Sequence, residues 1–321
     1  MNIVVTGSIA FDYLMSFPGN FLEHIKTGTL QKLSVSFLVD DMRRQRGGCA
    51  ANIAYTLGLL GERPILMATA GQDFGEYREW LENHGVDTSA VTVVPDVFTA
   101  SFFANTDREQ NQIASFYTGA MAFARELSFA ELEQEIDLVV ISPNDPEAMM
   151  KYPLECKELG LPYMYDPSQQ IPRLDLKALR AGVEGAEILI VNDYEYVLLK
   201  EHTGMSDEDL QEVVGRAVIV TRGAEGTSIW ADGESYFIPV ARPLKILDPT
   251  GVGDAFRAGL LKGLAVGLPW EAAGRIGSLA ATYVLEAPGA QVHEYTLETF
   301  ANRYGEIFGQ DAFTERVLSG A

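Results

Sequence analysis

The chain alternates short, continuous apolar runs with stretches of helical periodicity. Apolar positions repeat with helical spacing over Ala50–Leu60 and Phe74–His84, and a glycine follows each stretch as a helix stop. The apolar runs are rich in Val, Ile and Leu and are predicted strands at Ile3–Thr6, Ile65–Ala70, Leu138–Ser142, Pro162–Tyr165, Ile188–Val191 and Val218–Thr221. Uniformly apolar strands separated by helices are typical of a mostly parallel sheet that is covered on both faces. The sequence therefore predicts an α/β fold.

Two segments depart from this alternation. Leu33–Asp40 alternates polar and apolar residues with a period of two, which predicts a half-buried strand. Val97–Tyr117 contains two further strand-like runs, TASFFANT and QIASFY, on either side of the polar turn DREQN. These segments are predicted to form a lid or a small antiparallel sheet inserted into the α/β frame. Because no internal repeat or low-complexity linker interrupts the sequence, we predict a single domain over residues 1–321.

The balance of charge restricts the ligands that this chain can attract. Lys and Arg together number 24 and Asp and Glu 45, which gives a formal net charge of −21. A surface this acidic repels phosphate backbones and anionic membranes, so nucleic-acid and membrane partners are not expected. A small anionic ligand stays compatible with the sequence if backbone N–H groups and a few cations converge on one site.

Cysteine and histidine usage argues against structural metals and disulfides. Cys49 and Cys156 lie far apart, and the four histidines show no metal-ligand spacing. The most apolar stretch, Ile276–Leu285, is much shorter than the ~20 residues of a membrane span. The first residues carry no basic leader or small-residue cleavage site, and the expected compartment is therefore the cytoplasm.

Polar motifs follow the predicted strands at the points where the strands end. Gly7, Ser8 and Asp12 follow the first strand, and three later strands are followed by the motifs Asp166-Pro-Ser-Gln-Gln, Asn192-Asp-Tyr-Glu195 and Thr221-Arg-Gly223. In an open α/β sheet, ligands bind outside the carboxyl ends of the strands. The sequence thus predicts a ligand crevice at this edge of the sheet.

The motif Asp248-Pro-Thr-Gly-Val-Gly-Asp254 is predicted to begin a helix that ends near Gly267. Pro249 and the glycines disfavour helix up to about Gly251, so the amides of Gly251, Val252 and Gly253 are expected at a helix N-terminus. Such a terminus binds anions through free N–H groups and the helix dipole. Asp254, in the first turn, can accept a proton from a hydroxyl that attacks a phosphoryl group. The alternative is that Asp254 merely caps the helix.

A second motif, Arg46-Gly47-Gly48-Cys49-Ala50-Ala51-Asn52, precedes the Ala50–Leu60 helix. Paired glycines let the backbone approach a ligand closely, and the amide of Asn52 can both donate to and accept from hydroxyls. The alternative is a glycine turn leading into an ordinary helix. No GxxxxGK[ST] or GxGxxG motif is present, which argues against a P-loop enzyme and an NAD-dependent oxidoreductase.

Four motifs together resemble those of the ribokinase-like (PfkB) carbohydrate and nucleoside kinases. In chain order they are GGCAANIAYTLGLLG, the NxxE of Asn192–Glu195, the TRGxxG of Thr221–Gly226 and DPTGVGDAFRAGLL. The resemblance covers nearly the whole chain. One departure is Val252, where the family usually has Ala or Gly, and its N–H is unchanged. The stretches TGSIAFDYLMSFPG, SVSFLVDDM, IASFYTGAM, NDPEAM and DPSQQ are similar to bacterial adenosine kinases of the actinobacterial type.

This resemblance implies a ribokinase-like three-layer α/β sandwich with a mostly parallel central sheet and a small antiparallel β-lid. The lid is expected from the inserted segments at approximately 13–46 and 95–118. The implied reaction is ATP-dependent phosphorylation of the 5′-hydroxyl of adenosine, with Mg²⁺, to give AMP and ADP. A monovalent cation such as K⁺ and a homodimer are open expectations, and the partners are otherwise a nucleoside and ATP.

The resemblance also implies a role for each residue that matches a family motif. Asp254 is expected as the catalytic base, with anion-hole amides from Gly251, Val252 and Gly253. The ribose hydroxyls are expected at Asp12, Gly48 and Asn52. Other contacts around the nucleoside are expected from Ser8, Ser36, Gln169, Gln170 and Arg173, and contacts to the base from Phe102 and Phe116. On the ATP side, Asn192 and Glu195 are expected to organise Mg²⁺ through water, beside Thr221, Gly223 and Gly226.

The chemistry of these side chains is consistent with such roles, and alternatives stay open. A carboxylate such as Asp12 accepts from both hydroxyls of a diol, and an aromatic face stacks on a purine. Phe102 and Phe116 could instead be the core of the lid, and Arg43, Arg44 and Arg46 a solvated basic face. The alternative functions are a sugar kinase acting on ribose, fructose or a sugar phosphate, and a catalytically silent nucleoside-binding protein.

Overall fold

The computed structural model describes residues 1–25 and 35–318. Within these ranges, nine strands form one large sheet in the order β13-β12-β11-β10-β9-β8-β1-β4-β5. Its strands are β1 (Ile3–Thr6), β4 (Ile65–Ala70), β5 (Val91–Val93), β8 (Leu138–Ile141), β9 (Tyr163–Tyr165), β10 (Ile188–Asn192), β11 (Ala217–Thr221), β12 (Thr227–Ala231) and β13 (Glu234–Ile238). The pairings from β5 to β11 are parallel, and β12 and β13 add an antiparallel edge. The mostly parallel sheet predicted from the apolar runs is confirmed.

Helices cover both faces of the large sheet. The α-helices of the described residues are α1 (Phe21–His24), α2 (Cys49–Leu59), α3 (Gly75–Asn83), α4 (Pro146–Leu159), α5 (Leu176–Val183), α6 (Asp193–Thr203), α7 (Asp207–Val213), α8 (Val252–Ala265), α9 (Trp270–Leu285), α10 (Leu297–Phe308) and α11 (Ala312–Leu318). Helices α2, α3, α8 and α9 pack on one face, and α4 to α7 pack on the other. Helices α10 and α11 pack against α9.

The strand periodicity divides the side chains of the sheet between two hydrophobic cores. In β1, Ile3 and Val5 enter the core under α2 and α8, while Val4 enters the core under α4 and α5. Successive side chains of a strand point to opposite faces, so a strand buried on both faces is apolar at every position. This is the physical reason why uninterrupted Val, Ile and Leu runs correctly predicted a mostly parallel sheet covered on both faces.

Four strands within the described ranges form a smaller second sheet in the order β3-β2-β6-β7. They are β2 (Ala10–Ser16), β3 (Asp41–Gly47), β6 (Ala100–Thr106) and β7 (Gln112–Tyr117). The outer pairings β2–β3 and β6–β7 are antiparallel, and the central pairing β2–β6 is parallel. The two strands predicted within Val97–Tyr117 and the small sheet itself are confirmed.

The strand predicted at Leu33–Asp40 is wrong over the residues that can be compared. Positions 33 and 34 lie outside the described residues, and residues 35–40 form no strand. The strand begins at Asp41 instead and has the polar sequence DMRRQRG, whose first four residues are exposed. An exposed edge strand pairs through its backbone along one side only, so its sequence does not need the apolar alternation of a half-buried strand.

No helix in the described part of the chain is long and apolar enough to cross a membrane.

Candidate active site

A cavity of about 420 Å³ lies at the carboxyl ends of the large sheet's strands, between the start of α8 and the small sheet. The predicted residues that line it are Ser8, Asp12, Gly48, Asn52, Phe102, Phe116, Gln169, Gln170, Arg173, Gly251 and Asp254. The structure therefore brings together side chains that are up to 246 positions apart, from Ser8 to Asp254. The crevice predicted from the polar motifs after the strands is present at the expected edge.

The first turn of α8 forms one wall of this cavity. Gly251 is the N-cap residue and has a left-handed φ of 81°, which an L side chain rarely adopts. A Cβ at Gly251 would also lie 2.6 Å from the Cβ of Ala290. No side chain caps this terminus, so its first-turn amides are available to an anion, although the nitrogen of Val252 already lies 3.4 Å from the carbonyl oxygen of Pro249.

Asp254 lies in this first turn and is held by a side chain from α2. Nδ2 of Asn52 donates a 2.9 Å hydrogen bond to Oδ2 of Asp254. Burial raises the pKa of Asp254 to about 6, against the opposing effects of Arg257 and the Asn52 hydrogen bond. A carboxylate with a pKa near 6 is mostly ionised at neutral pH and is still a usable base. Asp254 does not cap α8, because the N-cap position belongs to Gly251.

A buried ion pair joins α8 to the segment after β9. Nη2 of Arg257 donates a 2.7 Å hydrogen bond to Oδ1 of Asp166, and both side chains are buried. Burial raises the pKa of Asp166, against the charge of Arg257. The pair fixes the segment that carries Gln169, Gln170 and Arg173 relative to the helix that carries Asp254.

The glycine pair before α2 is required by close packing. A Cβ at Gly47 would lie 2.7 Å from Oδ2 of Asp12, and one at Gly48 would lie 2.5 Å from the carbonyl of Ser8. Gly48 also has a left-handed φ of 94°. Burial, and then the charge of Asp248, raise the pKa of Asp12 to about 6. The pair therefore brings the Asp12 carboxylate and the start of α2 close together at the cavity.

The two predicted aromatic residues lie opposite each other in the small sheet. Phe102 on β6 and Phe116 on β7 are direct partners in the strand register, and both line the cavity. Phe116 is 46% exposed, so it is not part of a closed lid core. The neighbouring Phe103 stacks on Tyr13, with ring centroids 4.8 Å apart.

The residues predicted on the ATP side lie at the ends of the next two strands, outside the cavity lining. Asn192 and Thr221 are neighbours in the β10–β11 register. Asn192 and Glu195 form a reciprocal capping box at the start of α6. Ser168 donates a 3.0 Å hydrogen bond to Oε1 of Glu195, which connects this turn to the Gln169–Gln170 segment. Gly223 and Gly226 follow β11, and both have left-handed φ values.

One predicted contact, Ser36, is not brought to the cavity. Ser36 is exposed and lies in the connection ahead of β3 rather than in a strand. The physical reason is the shift of the strand to Asp41–Gly47, which places Gln45 and Arg46 beside β2 instead.

Several residues at or next to the cavity were given no individual role from the sequence. Cys49, Met121, Pro143 and Thr250 line the cavity, and Asp166, Arg257 and Gln291 support it from behind. Arg257 stands one helical turn after Asp254, and this spacing could have identified it. Gln291 lies in an irregular segment after α9, where no periodicity indicates its partner.

The described residues hold no group of three or more His, Cys, Asp or Glu side chains that could bind a metal ion alone. A magnesium ion keeps several waters and usually relies on one or two carboxylates with substrate phosphates. Glu195, whose two oxygens already accept hydrogen bonds from Ser168 and Asn192, fits an indirect role through water.

This architecture, in which the uncapped N-terminus of α8 lies beside the carboxylate of Asp254, is that of a ribokinase-like phosphotransferase. Residues 7–296 match the family described as pfkB family carbohydrate kinase. The chain belongs to that family.

Relatives and solved structures agree with this assignment. A nucleoside kinase of Methanothermobacter thermautotrophicus is 29% identical over 295 residues, which cover 91% of this chain and 92% of that protein. The structure of Burkholderia thailandensis nucleoside kinase in complex with inosine is similar with a TM-score of 0.85 at 37% identity, covering 96% of this chain and 98% of the other. Methanocaldococcus jannaschii nucleoside kinase, an archaeal member of the ribokinase family, has a TM-score of 0.85 at 28% identity, covering 95% and 99%.

Proposed function

We propose that this protein transfers the γ-phosphoryl group of ATP to the 5′-hydroxyl of a purine nucleoside, with adenosine as the principal substrate. The observation that carries the proposal is the position of Asp254, which shares one cavity with the Asp12 carboxylate and the aromatic pair Phe102 and Phe116. To phosphorylate a nucleoside, a site needs a base, a group that accepts hydrogen bonds from the ribose diol and an aromatic surface for the nucleobase. One cavity contains side chains of all three kinds.

In this reaction Asp254 takes the proton of the 5′-hydroxyl as its oxygen attacks the γ-phosphorus. A new P–O5′ bond forms, the bond between the γ-phosphorus and the β,γ-bridging oxygen breaks, and ADP leaves with that electron pair. The first-turn amides of α8 offset the negative charge on the transferred group. Phosphoryl transfer depends mainly on positioning and charge stabilisation, and this wall of the cavity supplies both.

Recognition of the nucleoside rests on the opposite wall. The ionised Asp12 accepts hydrogen bonds from the ribose 2′- and 3′-hydroxyls. Phe102 and Phe116 give the base an aromatic contact worth roughly 1–3 kcal/mol. Gln170 is buried at this wall, and its Oε1 has no hydrogen-bond partner within the described part of the chain. A ligand hydrogen-bond donor would satisfy this buried oxygen.

ATP is expected beyond α8, at the ends of β10 and β11. Asn192, Thr221, Gly223 and Gly226 would contact it there, and Glu195 would hold waters of a Mg²⁺ ion. When bound, the ion neutralises charge on the β- and γ-phosphates. A K⁺ requirement, a homodimer and a cytoplasmic location stay predictions.

Inosine is a second candidate acceptor, because the 37% identical Burkholderia protein is described in complex with inosine. A sugar phosphate is less well supported. Such a substrate would need extra cations near the small sheet, but Arg44 pairs with Glu76 and Arg46 lies over the ring of Trp80, which leaves Arg173 in the cavity lining. A catalytically silent protein would not need Asp254 beside an open helix terminus.

The test is nucleoside-dependent ADP release from ATP·Mg²⁺. Adenosine, inosine, guanosine, cytidine, ribose, fructose and fructose 6-phosphate are compared at equal concentration, with Asp254→Asn as the control for contaminating kinases. The proposal expects the highest kcat/KM for adenosine and no release by the variant. A higher kcat/KM for a sugar than for every nucleoside would contradict it.

A further inference from the structure

One side chain from the segment between α9 and α10 is buried behind the wall of the cavity that contains Asp254. Gln291 is 2% exposed, and its Nε2 donates a 2.9 Å hydrogen bond to Oδ1 of Asn52. The same Nε2 donates to the hydroxyl of Tyr77, which itself donates a 2.8 Å hydrogen bond to the carbonyl of Gly47. Gln291 thus stands behind Asn52, which contacts Asp254.

These hydrogen bonds form a series that runs from the Gly47 carbonyl to Asp254. The groups at its two ends fix the direction of every hydrogen bond in the series. The Gly47 carbonyl can only accept, so the single hydroxyl proton of Tyr77 is used there and the Tyr77 oxygen must accept from Gln291. At the other end the ionised Asp254 can only accept, so Asn52 must turn its Nδ2 towards it. The two N–H hydrogens of Gln291 then serve Tyr77 and Asn52. This arrangement gives a partner to every polar group of the series except Oε1 of Gln291, which has none within the described part of the chain.

We propose that Gln291 is a positioning residue for phosphoryl transfer, which holds Asn52 in the one amide orientation that donates to Asp254. The inference rests on the proposed role of Asp254 as the base. If Gln291 did not donate to Oδ1, the Asn52 amide could rotate by 180° about its terminal bond. Its Oδ1 would then face Oδ2 of Asp254, and two acceptors would repel each other at the base.

Other charged and titratable groups near Asp254 come from several elements. Because they also influence the pKa of Asp254, a variant that is compared by its pH profile must leave them unchanged. They are Arg257 on α8, Glu195 on α6, Asp166 after β9, Cys49 on α2 and Tyr77 on α3. Gln291 carries no charge, so replacing it by another neutral residue leaves this set intact. A change in the titration of Asp254 in such a variant then reports the Asn52 hydrogen bond.

The experiment compares Gln291→Met with the wild-type enzyme. Methionine keeps the length of the side chain and removes both donors. We expect kcat for adenosine to fall roughly 10- to 100-fold, as for a lost hydrogen bond to a charged group, with KM for ATP nearly unchanged. The acidic limb of the kcat profile should move to higher pH, because Asp254 loses a donor that favours its ionised form. Gln291→Leu, which is also uncharged and lacks both donors, should shift the limb in the same direction.

Two controls separate positioning from a loss of packing. Thr282→Val removes a buried hydroxyl that bonds to carbonyls of Ala241 and Ser278, and it should lower the melting temperature without moving the acidic limb. In an Asn52→Leu background, Gln291→Met should cause no further fall in kcat, since its effect passes through Asn52.

A wild-type acidic limb in both Gln291 variants, or an additive effect in the Asn52→Leu background, would overturn the proposal. Failure of the underlying function has a different signature. In that case Asp254→Asn keeps its turnover, whereas failure of the Gln291 inference leaves Asp254→Asn inactive and the Gln291 variants close to wild type in kcat.

Discussion

Asn52 and Asp254 lie 202 positions apart in the chain, and their side chains meet through a 2.9 Å hydrogen bond. The contact joins the first turns of α2 and α8, which pack on the same face of the large sheet. Each turn begins at a glycine in a left-handed conformation, Gly48 and Gly251. Two helix starts that converge on one cavity give a single site in which a hydroxyl can be oriented and deprotonated.

Asp254→Asn should abolish turnover and leave nucleoside binding intact. The substitution keeps the shape of the side chain and its contact with Asn52, but it removes the proposed base. General-base catalysis contributes about 10²–10⁴-fold, so kcat should fall by at least that range while the Kd for adenosine changes little. Calorimetry measures the Kd for adenosine, and the kinetics of ADP release measure kcat. A variant with near-normal kcat would reduce Asp254 to a structural residue.

The same substitution should stabilise the protein at alkaline pH. The pKa of Asp254 is raised by burial to about 6, whereas in an unfolded chain it is about 4. A raised carboxyl pKa favours the protonated form in the folded state, so the stability it contributes is present at low pH and is lost as pH rises through about 6. Asp254→Asn should therefore melt higher than wild type at pH 8, and this difference should shrink towards pH 4. A lower melting temperature at pH 8 would contradict the assignment.

Phe102→Ala should weaken nucleoside binding and leave ATP binding nearly unchanged. Loss of stacking worth roughly 1–3 kcal/mol corresponds to an increase of about 5- to 150-fold in KM for adenosine. Phe103→Ala is the matched control, because Phe103 is the next residue on β6 and stacks on Tyr13 instead. The control should lower the melting temperature and spare KM. Equal KM values in the two variants would argue for a sugar as the substrate, because a sugar has no aromatic base on which Phe102 could stack.

Nucleoside affinity should decrease when the pH falls below about 6. In the proposed function Asp12 accepts from the diol as a carboxylate, and burial together with Asp248 raises its pKa to about 6. Protonation removes an acceptor, so KM for adenosine should rise as pH falls through this value. Asp12→Asn should have a raised KM at every pH and lose this dependence. If KM of the wild type stays constant between pH 5 and 8, Asp12 does not bind the hydroxyls as an anion.

The small sheet should become protected when a nucleoside binds. We predict that β3, β6 and β7 act as a lid, in which Phe102 and Phe116 close over the ligand and exclude water. Amide hydrogen exchange of Ser101–Tyr117 should slow on addition of adenosine. The β12–β13 hairpin, at the far edge of the large sheet, is the control and should exchange at the same rate with and without ligand. Unchanged exchange in both regions would contradict a lid.

The α/β class, the glycine stops and the edge that carries the site could all be predicted from the sequence. These features depend on local chemistry: an apolar run such as Ile188–Val191 can only be buried on both faces, and the glycines after Leu60 and His84 adopt left-handed conformations. The predicted strand at Leu33–Asp40 was wrong because its apolar alternation is stronger than that of the exposed edge strand Asp41–Gly47. Exposed strands are selected by backbone pairing, which leaves little trace in side-chain pattern.

The supporting contacts of the site emerged only in three dimensions. Gln291 lies in an irregular segment and Asp166 follows a short strand, and neither position in the sequence indicates which side chain it will contact. Asn52 accepts a hydrogen bond from Gln291, and Asp166 accepts one from Arg257, because chain folding brings segments 239 and 91 positions apart to the same wall. A buried polar group must find whatever complementary group the fold delivers to it, and that match is a property of the packed molecule rather than of any local stretch of residues.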